Sequence, residues 1–146
     1  MTITFCGHSD FCEAAETETA LLDLLEDLIG EQSVEFFLGG YGNFDRFAYS
    51  CCKKYKENHK NASLVFVTPY ITEDYEKNHL FYIRQNYDSV IYPPIENRPL
   101  KFAISYRNQY MIDSADIVIS YIQRHFGGAY KTYEYARKKN KPIYNI

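Results

Sequence analysis

Three short glycine-bearing turns follow apolar stretches and are candidates for binding an anion. The first is Gly7-His8-Ser9, and the second runs from Gly39 and Gly40 through Tyr41 and Gly42 to Asp45. The third is Gly127-Gly128, followed by Thr132. Glycines between a strand and a helix tolerate positive φ, and they let phosphate oxygens approach backbone N–H groups at a helix N-terminus. The spacing fits neither a Walker loop nor a Gly-x-Gly-x-x-Gly fingerprint, which disfavours ATP hydrolysis and standard dinucleotide binding.

Three charged residues, Arg107, Glu134 and Asp45, are candidates for contacting a bound ligand. Arg107 lies four residues from both Ala103 and Met111, so on a helix it shares their apolar face. Its guanidinium then reaches solvent, pairs internally, or clamps a phosphate or a catalytic carboxylate. Glu134 follows the third turn and either pairs with Arg137 or stabilises a sugar cation. Asp45 occupies a position expected for a helix N-cap, or accepts hydrogen bonds from ribose hydroxyls. Tyr41 and Tyr130 are candidates for stacking on a base.

Alternating patterns predict the elements that position these residues. Short apolar stretches predict strands at residues 3–6, 34–38, 64–67, 89–92, 117–121 and 142–146. Helical spacing predicts helices at 13–29, from Asp45 onward, at 99–115 and after Gly128, with a helix or an excursion over the sheet at 72–87. Strands that are apolar on both faces indicate a parallel sheet covered by helices. The sequence therefore predicts an α/β fold, a Rossmann-like three-layer sandwich formed by a single domain of residues 1–146.

Composition narrows the class of protein. With 46% hydrophobic and 24% charged residues, the 146-residue chain is typical of a globular domain. No membrane span or secretory signal is evident, so we expect a cytoplasmic protein with reduced cysteines. No metal or other cofactor is expected, because Cys6, His8 and Cys12 lack a second ligand cluster.

The charge is unevenly distributed along the chain. Residues 1–45 hold ten acidic side chains and no Lys or Arg, whereas the remainder holds all 16 basic residues and nine acidic ones, giving −10 and +7. This split suggests a homodimer. The pI near 5.8 and the dispersed basic residues predict that nucleic acid is an unlikely partner.

Four segments together resemble the SLOG superfamily of Rossmann-like domains, which includes DprA-type DNA-processing proteins and the LOG phosphoribohydrolases. They are ITFCGHS, FFLGGYGNFDRFA, YRNQYMIDSADIVI and FGGAYKTYEYARKKNKPIYNI. Residues Arg107 through Met111 and Gly127 through Glu134 resemble two motifs of the LOG enzymes. The resemblance implies that Arg107 and Glu134 are catalytic. It also implies that Gly127, Gly128 and Thr132 cradle phosphate.

The third turn departs from the LOG pattern in ways that bear on catalysis. Phe126 replaces a proline, one glycine is absent, and Thr132 stands one position late, a shift that on a helix rotates a side chain by about 100°. We therefore expect binding or sensing of a nucleotide or a nucleotide-derived phosphate ligand. The alternatives are an N-glycosidase acting on nucleoside 5′-monophosphates, a deoxyribosyltransferase-like enzyme, and a non-catalytic scaffold.

Overall fold

A computed structural model describes all residues, 1–146, and contains one six-stranded sheet in which every neighbouring pair of strands is parallel. The spatial order of the strands is β4-β3-β2-β1-β5-β6. Their bounds are β1 Thr2–Gly7, β2 Val34–Leu38, β3 Ala62–Val67, β4 Ser89–Ile91, β5 Ile117–Tyr121 and β6 Ile143–Asn145.

Helices cover both faces of this sheet. On one face, α1 (Ala15–Ile29) and α2 (Asn43–Asn58) pack together over the larger core, to which α1 contributes Leu21, Leu25 and Ile29. On the other face lie α5 (Ala103–Ser114) and α6 (Gly128–Lys138), which also contact each other. The predicted α/β class and Rossmann-like three-layer arrangement are confirmed.

The connection from β3 to β4 is irregular, where the sequence predicted a helix or an excursion over the sheet at 72–87. It contains α3 (Glu73–Tyr75), a π-helix (Glu76–Leu80) and α4 (Phe81–Ile83). Of the residues in these three short helices, Leu80 alone is buried. A short 3₁₀ segment, Leu100–Phe102, leads into α5. No helix is long and apolar enough to cross a membrane.

The strand order reverses direction at β1, which lies between β2 and β5. Such a reversal opens a crevice at the carboxyl ends of the two adjacent strands, because their following helices cover opposite faces. All three glycine turns lie at the carboxyl ends of β1, β2 and β5. The topology therefore brings the three candidate turns to one edge of the sheet.

Gly7 and Gly128 provide a matched pair for testing which glycines the fold itself requires. A Cβ atom at Gly7 would overlap the fully buried Phe44 ring, whereas no atom lies within 4 Å of the Cβ position at Gly128. We expect Gly7→Ala to lower the free energy of unfolding by about 1–3 kcal/mol, the usual cost of overpacking. Gly128→Ala should leave it unchanged or raise it by about 0.4–1 kcal/mol. Urea unfolding of both variants is the measurement, and equal stabilities would contradict this packing argument.

Candidate anion-binding cavity

A cavity of about 240 Å³ lies at the carboxyl ends of β1 and β5. Nine of the fourteen residues that the sequence singled out line it: Gly7, His8, Ser9, Tyr41, Asp45, Arg107, Gly127, Gly128 and Thr132. Gly39, Gly40, Gly42, Tyr130 and Glu134 do not line it. Residues of all three glycine turns and the predicted Arg107 thus line a single cavity.

Arg107 reaches this cavity from α5 and is almost completely enclosed, with 1% of its surface exposed. Its Nη1 donates to the carbonyl oxygens of Gly39 (2.9 Å) and Val67 (2.8 Å). Its Nε donates to Asn108 Oδ1 at 2.9 Å, which leaves Nη2 without an acceptor in the chain. Ala103 and Met111 share its buried face, as the four-residue spacing predicted.

The guanidinium of Arg107 is a fixed positive charge in the cavity wall. Burial lowers its pKa, while the nearby Asp45 carboxylate opposes that shift. An arginine nevertheless remains protonated in proteins, so this charge persists at neutral pH. A buried cation with one free nitrogen favours an anion next to it.

Asp45 lies in the first turn of α2, but it is not the N-cap, which is Gly42. From inside the helix its Oδ2 accepts a hydrogen bond from the Tyr41 N–H at 2.8 Å. The expected N-cap position is therefore wrong by three residues, because the chain enters the helix at a glycine with φ of 90°. Burial raises the pKa of Asp45 to about 6, although the Tyr41 N–H and Arg107 both act to lower it.

The glycine turn after β2 is filled by the protein itself. A Cβ at Gly39 would lie 3.0 Å from Cζ of Arg107, and one at Gly40 would lie 2.7 Å from the Phe66 ring. The N–H of Asn43, the first residue of α2, donates to the Ser9 carbonyl oxygen. Packing and backbone conformation explain these glycines, and this turn offers little room for a phosphate.

The glycine turn after β5 is open. Gly127 has φ of 91°, which favours glycine, but Gly128 begins α6 and has no neighbour that would exclude a side chain. The N–H groups of residues 128–130 have no acceptor in the chain, as expected for the first turn of a helix. Thr132 contributes less freely, because its hydroxyl donates to the Gly128 carbonyl oxygen at 3.1 Å.

His8 stands at the end of β1 with only 3% of its surface exposed. Its Nε2 accepts a hydrogen bond from the Gln123 N–H at 3.0 Å, so the proton of the neutral ring is on Nδ1. Burial and the nearby Arg124 lower its pKa, whereas Asp10 raises it. His8 is therefore neutral at physiological pH, with Nδ1–H as a donor that has no partner in the chain.

Glu134 is separated from this group. Its Oε1 accepts a hydrogen bond from Arg137 Nη1 at 2.8 Å along the exposed side of α6. Asp45 is the carboxylate that lines the cavity instead. The structure thus brings Arg107 to the cavity and leaves the second proposed catalytic residue outside it.

Sequence reasoning missed two polar residues of the cavity wall. Asn108 accepts from Arg107 and donates to the Thr132 hydroxyl at 3.5 Å. Arg124 follows β5 and pairs with Asp10 at 3.0 Å. Asn108 lies within the quoted Arg107-to-Met111 segment, and Arg124 stands three residues before Gly127. A polar residue next to each motif was the available signal.

Comparisons with known proteins show the fold and nothing finer. No protein-family model and no curated protein matches the chain. DNA processing protein A of Helicobacter pylori has a similar structure, with a TM-score of 0.62, 16% identity and 98% of this chain covered. DprA of Streptococcus pneumoniae (0.64, 17%, 97%) and the structural genomics target TM1055 (0.58, 14%, 97%) are also similar. The chain spans 63%, 48% and 71% of those three chains, respectively.

The expectation that nucleic acid is an unlikely partner is wrong. The Helicobacter pylori protein is described by its single-stranded DNA binding mode, and its fold covers nearly all of this chain. The expectation relied on the pI of the whole chain and on the dispersed basic residues in the sequence. It failed because a net charge says nothing about local arrangement, and here Arg107 and Arg124 line the same cavity.

The raised pKa of Asp45 predicts how the free energy of unfolding changes with pH. Because its folded-state pKa of about 6 exceeds the ordinary value of 3.8, ionising this carboxyl costs folding free energy as pH rises between these values. The cost is constant above pH 6 and absent well below pH 4. Relative to the wild type, Asp45→Asn should therefore gain about 2 kcal/mol of stability between pH 4 and pH 7.

Urea unfolding of both proteins across this pH range measures the difference directly. NMR titration of the Asp45 side-chain carbon should give a midpoint near 6. A midpoint below 4, together with a pH-independent difference in stability, would show that the carboxyl is well solvated. Glu134→Gln, outside the cavity, is the matched carboxylate control.

Proposed function

We propose that this chain binds a nucleotide or a nucleotide-derived ligand, with a phosphate group at the N-terminus of α6. The observation that carries the proposal is Gly128. Neither packing nor backbone conformation requires a glycine there, while the absence of a side chain leaves the N–H groups of residues 128–130 accessible. Such a helix N-terminus combines free donors with the positive end of the helix dipole.

Arg107 supports the same assignment independently. Its buried guanidinium has one nitrogen without an acceptor and lies in the wall of the cavity that Gly128 lines. An anion in this cavity offsets the unfavourable burial of that charge. Two elements that follow different strands thus favour the same kind of ligand.

The remaining cavity residues suit the rest of a nucleotide. At neutral pH the Asp45 carboxylate can accept hydrogen bonds from sugar hydroxyls, and Ser9 lies in the same wall. Tyr41 is 63% exposed at the rim, where a base can stack on its ring. The cavity, at about 240 Å³, is slightly below the roughly 300–1,000 Å³ typical of small-molecule pockets. A base projecting onto the rim fits this size.

Membership of the SLOG superfamily is part of the proposal, supported by the quoted motifs and by the similar DprA structures. An N-glycosidase of the LOG type is the less favoured function. Glu134 pairs with Arg137 outside the cavity, so a sugar cation bound inside would lack that carboxylate.

Binding of AMP should stabilise the folded protein, because a ligand that binds only the folded state raises the melting temperature by mass action. We expect an AMP-dependent shift for the wild type. Gly128→Val should reduce AMP affinity by about tenfold or more, because the side chain blocks approach to the amides while its Cβ has no protein atom within 4 Å. Differential scanning fluorimetry and calorimetric titration are the measurements.

Ala15→Val is the matched control, since it places valine at the first position of α1, away from the cavity. Its affinity for AMP should equal that of the wild type. Absence of a shift with a panel of mono-, di- and cyclic nucleotides would favour the scaffold alternative. Equal losses in both valine variants would assign the effect to helix stability.

Single-stranded nucleic acid is a second candidate ligand, favoured by the described binding mode of the Helicobacter pylori protein and by the rim of the cavity. Tyr41 and Phe126 are 63% and 67% exposed on the two turns that flank it. Bases stack on exposed aromatic rings while a strand's phosphates contact donors below. One phosphate of a strand can occupy the position proposed for the nucleotide.

Fluorescence anisotropy with labelled oligo(dT) tests this candidate. If a strand uses the rim, Tyr41→Ala should weaken binding by about 1–3 kcal/mol, the scale of one stacked base. AMP should compete with the strand. Tyr144→Ala, which removes an exposed tyrosine of β6 that does not line the cavity, is the control. Binding unaffected by Tyr41→Ala and by AMP would place the strand elsewhere.

A further inference from the structure

Arg124 has donor groups that the fold does not use. Its Nη1 donates to Asp10 Oδ1 and Oδ2, at 3.0 and 3.2 Å. Its Nε is buried and has no acceptor, and Nη2 has none in the chain either. Nε–H and the adjacent Nη2–H form the parallel pair with which arginine holds two oxygens of one phosphate or carboxylate. A buried charged donor without an acceptor is costly, so it needs an explanation.

The position of Arg124 connects this unused pair with the cavity. Arg124 lines the cavity and stands three residues before Gly127, on the connection that leads to the open N-terminus of α6. Its guanidinium lies over the exposed Phe126 ring, 5.2 Å from the centroid, and the Asp10 contact holds its other edge. Both contacts restrict the guanidinium while leaving Nε and Nη2 without an acceptor.

His8 places a second unused donor in the same wall. Its Nε2 is occupied by the Gln123 N–H, so Nδ1–H is left without a partner on a side chain that is almost fully buried. Its pKa is lowered by burial and by Arg124, which keeps the ring neutral and Nδ1 protonated. A neutral donor next to an arginine adds a hydrogen bond without adding charge repulsion.

We propose that Arg124 and His8 bind the ligand's phosphate group together with the N-terminal amides of α6. The inference rests on the proposed function and assigns ligand contacts to two residues, one of which no motif in the chain indicates. Because Nε is shielded from solvent, we expect binding to include a rotation of the partly exposed Arg124 side chain about its Asp10 contact.

Two explanations of Arg124 predict opposite results for its ion-pair partner. If Arg124 only pairs with Asp10, then Arg124→Gln and Asp10→Asn remove the same interaction and have equal effects. If Arg124 binds phosphate, Asp10→Asn removes a competing carboxylate and leaves phosphate affinity within about threefold or increases it. Arg124→Gln should then weaken phosphate binding by about tenfold or more, the scale of a charge-assisted hydrogen bond.

The experiment is an NMR titration of the full chain with inorganic phosphate at constant ionic strength, following the Gly128 amide. Arg137→Gln is the matched control, because it removes one positive charge and one ion pair on α6 outside the cavity. It should bind phosphate like the wild type. Arg124→Lys keeps the charge without the parallel donor pair, and we expect it to bind more weakly than the wild type.

The outcomes separate this inference from the function on which it rests. If the wild-type Gly128 amide does not respond to phosphate, the proposed function fails. If it responds and Arg124→Gln binds equally well, or if Arg124→Gln and Asp10→Asn weaken binding equally, this inference alone is overturned. A loss specific to Arg124→Gln and Arg124→Lys, with Asp10→Asn and Arg137→Gln unaffected, establishes the contact.

Discussion

The buried guanidinium of Arg107 is the interaction on which the carboxyl edge of the sheet depends. One nitrogen joins the carbonyl oxygens of Gly39 and Val67, which follow β2 and end β3, and so ties two strand ends to α5. Both oxygens are buried, and a buried carbonyl oxygen needs a donor. The same side chain therefore holds the edge together and brings a positive charge to the cavity. A helix position that looks apolar by its spacing is charged here for both reasons.

The two longer glycine turns resemble each other in sequence and differ in what surrounds them. In the turn after β2, Arg107, Phe66 and Ser9 occupy the space that side chains would fill. Asp45 and Ser9 accept hydrogen bonds from backbone N–H groups of this turn and of the start of α2. In the turn after β5, no atom lies within 4 Å of a Cβ at either glycine, and the first N–H groups of α6 have no acceptor in the chain. Packing thus explains the glycines of one turn, whereas in the other turn no neighbouring atom excludes a side chain. Only the neighbours, which come from distant parts of the chain, distinguish them.

This contrast shows which features the sequence could predict. Strands that are apolar on both faces predicted the parallel sheet, and the spacing of Ala103, Arg107 and Met111 predicted that the three share one face of a helix. The spacing left open whether the arginine reaches solvent, pairs internally or meets an anion. A shift of one residue along a helix turns a side chain by about 100°, so the direction of Glu134 could not be predicted from the motif alone. In the structure Glu134 instead accepts a hydrogen bond from Arg137, which lies on the same face of α6. Arg124 belongs to no periodic pattern, since its role depends on β1 and β5 being neighbours in space. Contacts between residues that follow different strands cannot be predicted from the spacing of residues along the sequence.

The charges around the cavity explain how an acidic chain can have unpaired positive donors at one edge of its sheet. Asp10 neutralises one face of Arg124 and leaves the other face free, while the Asp45 carboxyl titrates near pH 6 beside Arg107. The acidic residues of the first 45 positions thus lie partly next to the arginines that they balance, as Asp10 and Asp45 do. Ligand affinity depends on the donors that remain after this local pairing, and the net charge counts paired and unpaired groups alike. For this fold, the hydrogen-bond inventory of the cavity is therefore the better guide to the ligand's charge.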